Sequence, residues 1–156
     1  MYEWPQGFRL QYFSPREFDR PGLMDRDFLR ELDRLRERCG FPLTINDDAR
    51  DTEDLERIYA KEIAKGESYP KTSSHLHMGD TAVRAVDVEP ALPKSGDGSE
   101  LPLEQRELEL TYQILHMWKE GRWPRLGLGI ETGHWHIDDT PRLGSKRPAF
   151  WVAVSR

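Results

Sequence analysis

The sequence predicts an α+β fold in which helices pack on one face of a small, mostly antiparallel sheet. Apolar residues recur at helical spacing in three segments, and short alternating or valine-rich runs mark five strands. The order is broadly helices first and then strands, which favours layers over a βαβ alternation. At 156 residues the chain has the size of one domain, residues 1–156. That length can bury roughly two thirds of its unfolded surface.

Ser14-Pro15-Arg16-Glu17 opens a short helical turn, with Ser14 as cap, Pro15 at the first position and Glu17 completing a capping box. From Met24 to Cys39, Phe28, Leu32, Leu35 and Cys39 share one helical face, and Gly40 stands where the helix stops. Phe41 to Asn46 alternates as a strand and ends in the polar turn before Arg50. A second helix spans Asp54 to Lys65, with Leu55, Ile58, Tyr59 and Ile63 as its stripe and Gly66 as its stop. Lys71 to Thr81 reads as a loop, Ala82 to Val88 as a buried strand carrying Asp87, and Pro90 to Pro102 as a surface loop beside the cleft. The third helix runs from Leu103 to Lys119, with Leu108, Tyr112, Leu115 and Trp118 or Lys119 along its stripe. Strands follow at Gly127 to Glu131, His134 to Asp138 and Ala149 to Val154.

Charged residues make up 33% of the chain and hydrophobic ones 37%, a globular balance, and no apolar run approaches a membrane span. A net charge of −5 argues against nucleic acid as a partner. The arginines between Arg30 and Arg38 are balanced by Glu31, Asp33 and Glu37 and read as a solvated face. The single cysteine, Cys39, excludes an internal disulfide and reads as a buried side chain. Met1 to Gly7 lacks the basic start and apolar core of a signal peptide, so the expected location is cytoplasmic until release.

The chemistry concentrates in His134-Trp135-His136-Ile137-Asp138. A strand sends residues i and i+2 to one face, which sets the two imidazoles about 7 Å apart at the backbone. Upstream, Ser73-Ser74-His75-Leu76-His77 and Arg84-Ala85-Val86-Asp87-Val88 add His and Asp candidates. Together these clusters supply a three-ligand metal site with an open position. Asp87 strengthens the reading, because a carboxylate within a valine-rich strand is costly unless paired or ligating. His116, on the third helix, reads as packing or surface.

These segments resemble the zinc D-Ala-D-Ala carboxypeptidase family and its wider group with lysostaphin-type peptidases and the hedgehog domain. That group carries a Ser-x-His-x-x-Gly-x-Ala-x-Asp segment and a later His-x-His segment. Phe13-Ser14-Pro15-Arg16-Glu17-Phe18 resembles the family's entry, Leu32 to Cys39 its first helix, and Thr44 to Arg50 its strand ending in arginine. The resemblance implies that His75, Asp87 and His136 bind zinc, that His134 steadies the oxyanion, and that Arg50 grips a substrate carboxylate.

Two departures leave alternatives open. Eleven residues separate His75 from Asp87, a longer spacing than the family's, so Leu76 to Val83 forms an insertion and His77 rivals His75 as ligand. Gly133 stands where many members carry an acid three positions before the last ligand, so Glu131 is the nearest general base, with Asp138 or Asp139 next. In the other register, Glu131-x-x-His134, the ligand is His134. Trp123, Trp135 and Trp151 line the cleft or, more in keeping with their type, fill the core.

The resemblance implies a zinc metallopeptidase that cuts a peptidoglycan stem peptide, as a D,D-carboxypeptidase or an endopeptidase. A chain of this size suits a phage or prophage endolysin, released to act on the cell wall. The alternative is a non-catalytic virion or tail domain of the same fold.

Overall fold

The computed structural model describes residues 3–69 and 73–153. Its first long element, α1 (Arg26–Cys39), starts where the Asp25 carboxylate accepts from the Phe28 N–H, and ends at Gly40 with φ 75°. The predicted face is the buried one, with Phe28, Leu29, Leu32, Leu35 and Cys39 all inside. The predicted capped turn is a single 3₁₀ turn, Pro15–Glu17.

Strand β1 (Leu43–Asp47) follows. The second predicted helix is two short ones, α2 (Thr52–Ile58) and α3 (Ala60–Ala64), broken at Tyr59. Only Leu55 of its stripe is buried, whereas Ile58 and Ile63 are 47% and 41% exposed, so little apolar burial holds one continuous helix together. After β2 (Ala85–Pro90), α4 (Leu103–Lys119) has the bounds the periodicity predicts but turns another face inward. Arg106, Leu110, Ile114 and Met117 are buried, while Leu108 and Tyr112 are 72% and 57% exposed. The fully buried Arg106 also ties down the loop after β2 through the carbonyls of Ala91, Ser99 and Leu101 and an ion pair with Asp97.

Strands β3 (Gly127–Glu131), β4 (His134–Asp138) and β5 (Ala149–Val152) complete a five-stranded sheet in the order β1-β2-β4-β3-β5. Every neighbouring pair is antiparallel except β3 with β5. Val154, the predicted end of the last strand, and Lys71, the predicted start of the loop, lie outside the described residues. Among the described residues no helix is long and apolar enough to cross a membrane.

The sheet has two unlike faces. Val86, Val88, Leu128, Trp135 and Ile137 join the side chains of α1 and α4 in one hydrophobic cluster. The alternate positions, Asp87, Glu131, His134, His136 and Asp138, point the other way. The fold is thus mixed α+β, with its two long helices covering one face and its polar residues gathered on the other.

Cys39 is 5% exposed, and burial, with help from Glu109, pushes its thiol up to about 12. Thiolate is the reactive species. Ellman's reagent at pH 8 is therefore expected to leave the native protein unlabelled and to titrate one thiol in denaturant; prompt labelling of the native protein would contradict this burial.

Candidate metal centre

Pairing in the sheet assembles the centre. Asp87 of β2 lies opposite His136 of β4, and His136 lies opposite Gly129 of β3. His75 arrives from the segment between α3 and β2. Its backbone is pinned where the Arg50 N–H donates to the His75 carbonyl (2.8 Å) and the His77 N–H donates to the Arg50 carbonyl (2.7 Å).

Three ligand atoms converge. His75 Nε2 is 3.3 Å from His136 Nδ1 and 3.3 Å from Asp87 Oδ1, and His136 Nδ1 is 2.9 Å from Asp87 Oδ1. Tetrahedral coordination with bonds of about 2.0–2.1 Å sets neighbouring ligand atoms about 3.3 Å apart. Two edges of the triangle match that spacing and the third is 0.4 Å shorter, so the group could hold a small divalent metal. His75 and His136 are buried, and Asp87 is half-buried.

Each imidazole is also held from behind. His75 Nδ1 lies 2.7 Å from the Asp48 carbonyl. A carbonyl only accepts, so Nδ1 carries the proton and Nε2 offers its lone pair to the centre. His136 Nε2 lies 2.8 Å from Asp138 Oδ2, and Arg147 clamps that carboxylate through two bonds of 2.8 Å. Partners of this kind fix tautomer and ring orientation at metal-binding histidines.

The electrostatics agree. Burial works against a charged His136, but hydrogen bonds to Asp138 and Asp87 outweigh it and raise the ring to about 9. Burial likewise opposes ionisation of Asp87, yet the bonds from His136 and His75 hold its carboxyl well below the usual carboxylate range. A proton on Nδ1 thus occupies the position a metal would take, between a carboxylate and two imidazoles.

Beside this triangle stands a second pair. His134 Nε2 is 2.5 Å from Glu131 Oε2 and 3.8 Å from Asp87 Oδ2, and the Trp151 indole N–H reaches Glu131 Oε1 at 3.4 Å. Glu131 and His134 are the last paired residues of the β3–β4 hairpin, joined through Thr132 and Gly133. Gly133 has φ 82°, which the tight turn requires and an acidic side chain would adopt only with strain. Hairpin register alone thus brings Glu131 to the face of the metal ligands.

The candidates sort accordingly. His75 joins Asp87 and His136, and His77 is not in the group. His136, not His134, is the third member. Arg50 lies outside the triangle, in a polar hollow of about 350 Å³ with Asp19, Arg20, Asp47, Asp54 and Arg57, and its guanidinium pairs with Asp47. Asp139 is fully buried against Arg84 and Arg125, and Asp138 stands behind His136, so neither faces the triangle as a base. His116 is on the surface, paired with Glu120. Trp123 and Trp135 are core residues, whereas Trp151 packs 5.4 Å from the His136 ring.

Sequence reasoning missed Arg147, the role of Asp138 behind the ligand, and the paired glycines of β3. Alternation from His136 already sets Asp138 on the same face, and Gly127 and Gly129 stand opposite these two residues. A Cβ on Gly127 would fall 2.6 Å from Arg147 Nε and Asp138 Oδ2, and one on Gly129 would run into the Trp151 ring. These glycines were the available signal.

Asp138→Asn is expected to lower stability, because Arg147 loses its buried partner, and to weaken metal binding of the folded protein by about 10- to 100-fold, since it removes the charge that aligns His136. Competition against a chromophoric chelator checks it, and unchanged affinity would remove Asp138 from the centre. Comparison of the chain with family models, with curated proteins and with solved structures finds no match.

Proposed function

We propose that the protein is a zinc-dependent peptidase that hydrolyses a bond in the peptidoglycan stem peptide, as a D,D-carboxypeptidase or an endopeptidase, and that it serves as a phage or prophage lysis enzyme. The observation that carries this reading is the set of three side chains, His75, Asp87 and His136, next to an acid–imidazole pair. Closed structural zinc sites use four protein ligands, whereas catalytic ones use three and keep a position for water or substrate. The choice of wall peptide as substrate rests on the resemblance to the zinc D-Ala-D-Ala carboxypeptidase group.

When bound, zinc supplies an activated water near neutral pH and polarises the scissile carbonyl. The chain's residues do the rest. Glu131, oriented by the Trp151 N–H, takes the proton of the attacking water and returns it to the leaving amine. His134, hydrogen-bonded to Glu131, presents its imidazole to the oxygen on which negative charge develops. Arg50 offers a planar fork to a substrate carboxylate, which takes over the place held by Asp47. Trp151 packs against the His136 ring and walls the site on that side.

Purified protein is expected to hold about one zinc per chain, and His136→Ala and Asp87→Ala to lose it, as elemental analysis would read. Zinc that persists in both variants would overturn the ligand set.

Glu131→Gln and His134→Ala are expected to keep the metal and to lower hydrolysis of purified peptidoglycan, followed by mass spectrometry, by about 100- to 10,000-fold. Full activity of Glu131→Gln would remove Glu131 as the base. Loss of zinc from His134→Ala would move the ligand to that residue. A zinc-loaded wild type that releases no fragment from any wall type would assign the protein to the other reading, a non-catalytic virion domain.

A further inference from the structure

The exposed stripe of α4 has no function in the reading above. Leu108 and Tyr112 are 72% and 57% exposed, and Leu115 is half-buried beside them. With 3.6 residues per turn, Glu104, Leu108, Tyr112, Leu115 and Lys119 line one face along the whole helix, about 25 Å long. The opposite face packs the core through Arg106, Leu110, Ile114 and Met117, and of the apolar stripe only Leu115 also touches the core, so core burial does not explain Leu108 and Tyr112. The apolar surface also continues sideways. Trp118 meets Phe150 of β5 at 5.2 Å between rings, and Phe150 and Val152 are 50% and 71% exposed on that edge strand. Exposed apolar side chains gathered on one helix face and on the neighbouring edge strand, unlike scattered single residues, mark an interaction surface.

We infer that this surface joins two copies of the chain about a twofold axis, with their α4 helices antiparallel. The stripe reads acid, Leu, Tyr, Leu, base, and it is complementary to itself when reversed. Antiparallel docking sets Glu104 against Lys119 of the partner subunit and Leu108 against Leu115 of the partner subunit, and the twofold repeats both contacts. Tyr112 lies next to the axis. Parallel docking would set Glu104 against its own copy and Lys119 likewise, so charge selects the antiparallel arrangement. Among the described residues neither Glu104 nor Lys119 has an ion-pair partner within its own chain, so both charges are free to be used between chains. The 4-3-4 spacing of Leu108, Tyr112, Leu115 and Lys119 is that of a helix-pair seam. Because α4 packs on the Trp135 side of the sheet, both metal centres face away from the contact.

Sedimentation equilibrium of the full chain tests this. The wild type is expected at twice 18.3 kDa, and Leu108→Glu at the monomer mass. Lys119→Glu sets like charges against each other twice and is expected to raise the dimer dissociation constant tenfold or more. The double variant Glu104→Lys/Lys119→Glu restores opposite charges and is expected to recover the dimer. Circular dichroism melting establishes that each variant is folded; an unfolded one is replaced by Tyr112→Glu, with the same expectation as Leu108→Glu. A wild type that stays monomeric up to about 1 mM, a dimer indifferent to Leu108→Glu, or a double variant as weak as Lys119→Glu alone would each overturn the inference.

Discussion

Strand register is the constraint on which the rest of the structure depends. One row crosses all five strands: Asp47, Asp87, His136, Gly129 and Trp151 stand side by side through successive pairings. Because side chains alternate with a period of two, a slip of one residue in β2 or β4 would send a candidate ligand into the hydrophobic cluster and an apolar residue into the site. The apolar row next to it, Val88, Trp135 and Ile130, packs into the hydrophobic cluster and fixes that register from the other face. The irregularity in β1 between Ile45 and Asp47 serves the same end, since it brings Asp47 rather than Asn46 into the row.

The polar face is stable because its buried carboxylates are each matched. Asp138 is held by Arg147 and His136, Asp139 by Arg84 and Arg125, and Asp48 by the backbone N–H groups of Asp19 and Arg20. Removing one member of such a buried pair costs about 3–5 kcal/mol, because the other is left charged and unpaired. The arginine pairs thus give the ligand layer a rigid backing. Positions behind the candidate ligands are accordingly sensitive to substitution as well.

Much of this was legible in the sequence, for identifiable reasons. The bounds of α1 and α4 follow from caps and period, and those of the strands Gly127 to Glu131 and His134 to Asp138 from short alternating runs. The buried face of α4 was misread because that helix carries two apolar stripes, and the one that enters the core begins with Arg106. An arginine looks like a surface residue until the carboxylate that neutralises it is known, and Asp97 sits in a loop whose path only tertiary structure defines. The break at Tyr59 was hidden for a related reason, since period alone cannot tell whether a stripe has anything to pack against. Spacing alone does not separate His75 from His77; the bond from His75 Nδ1 to the Asp48 carbonyl, which only tertiary structure supplies, holds that imidazole inward.

The candidate ligands come from distant parts of the chain, with His136 lying 49 residues from Asp87 and 61 from His75. An unfolded chain of that spacing chelates poorly, so a metal discriminates sharply between folded and unfolded protein. A metal bound there would then stabilise the fold by an amount set by its free concentration relative to the dissociation constant, about 2.7 kcal/mol at a hundredfold excess. The same separation makes the centre a late product of folding, since the pairing of β2 with β4 must close a long loop before the three groups meet. Metal supply would therefore govern the lifetime of the finished molecule and leave the rate at which it first forms nearly untouched.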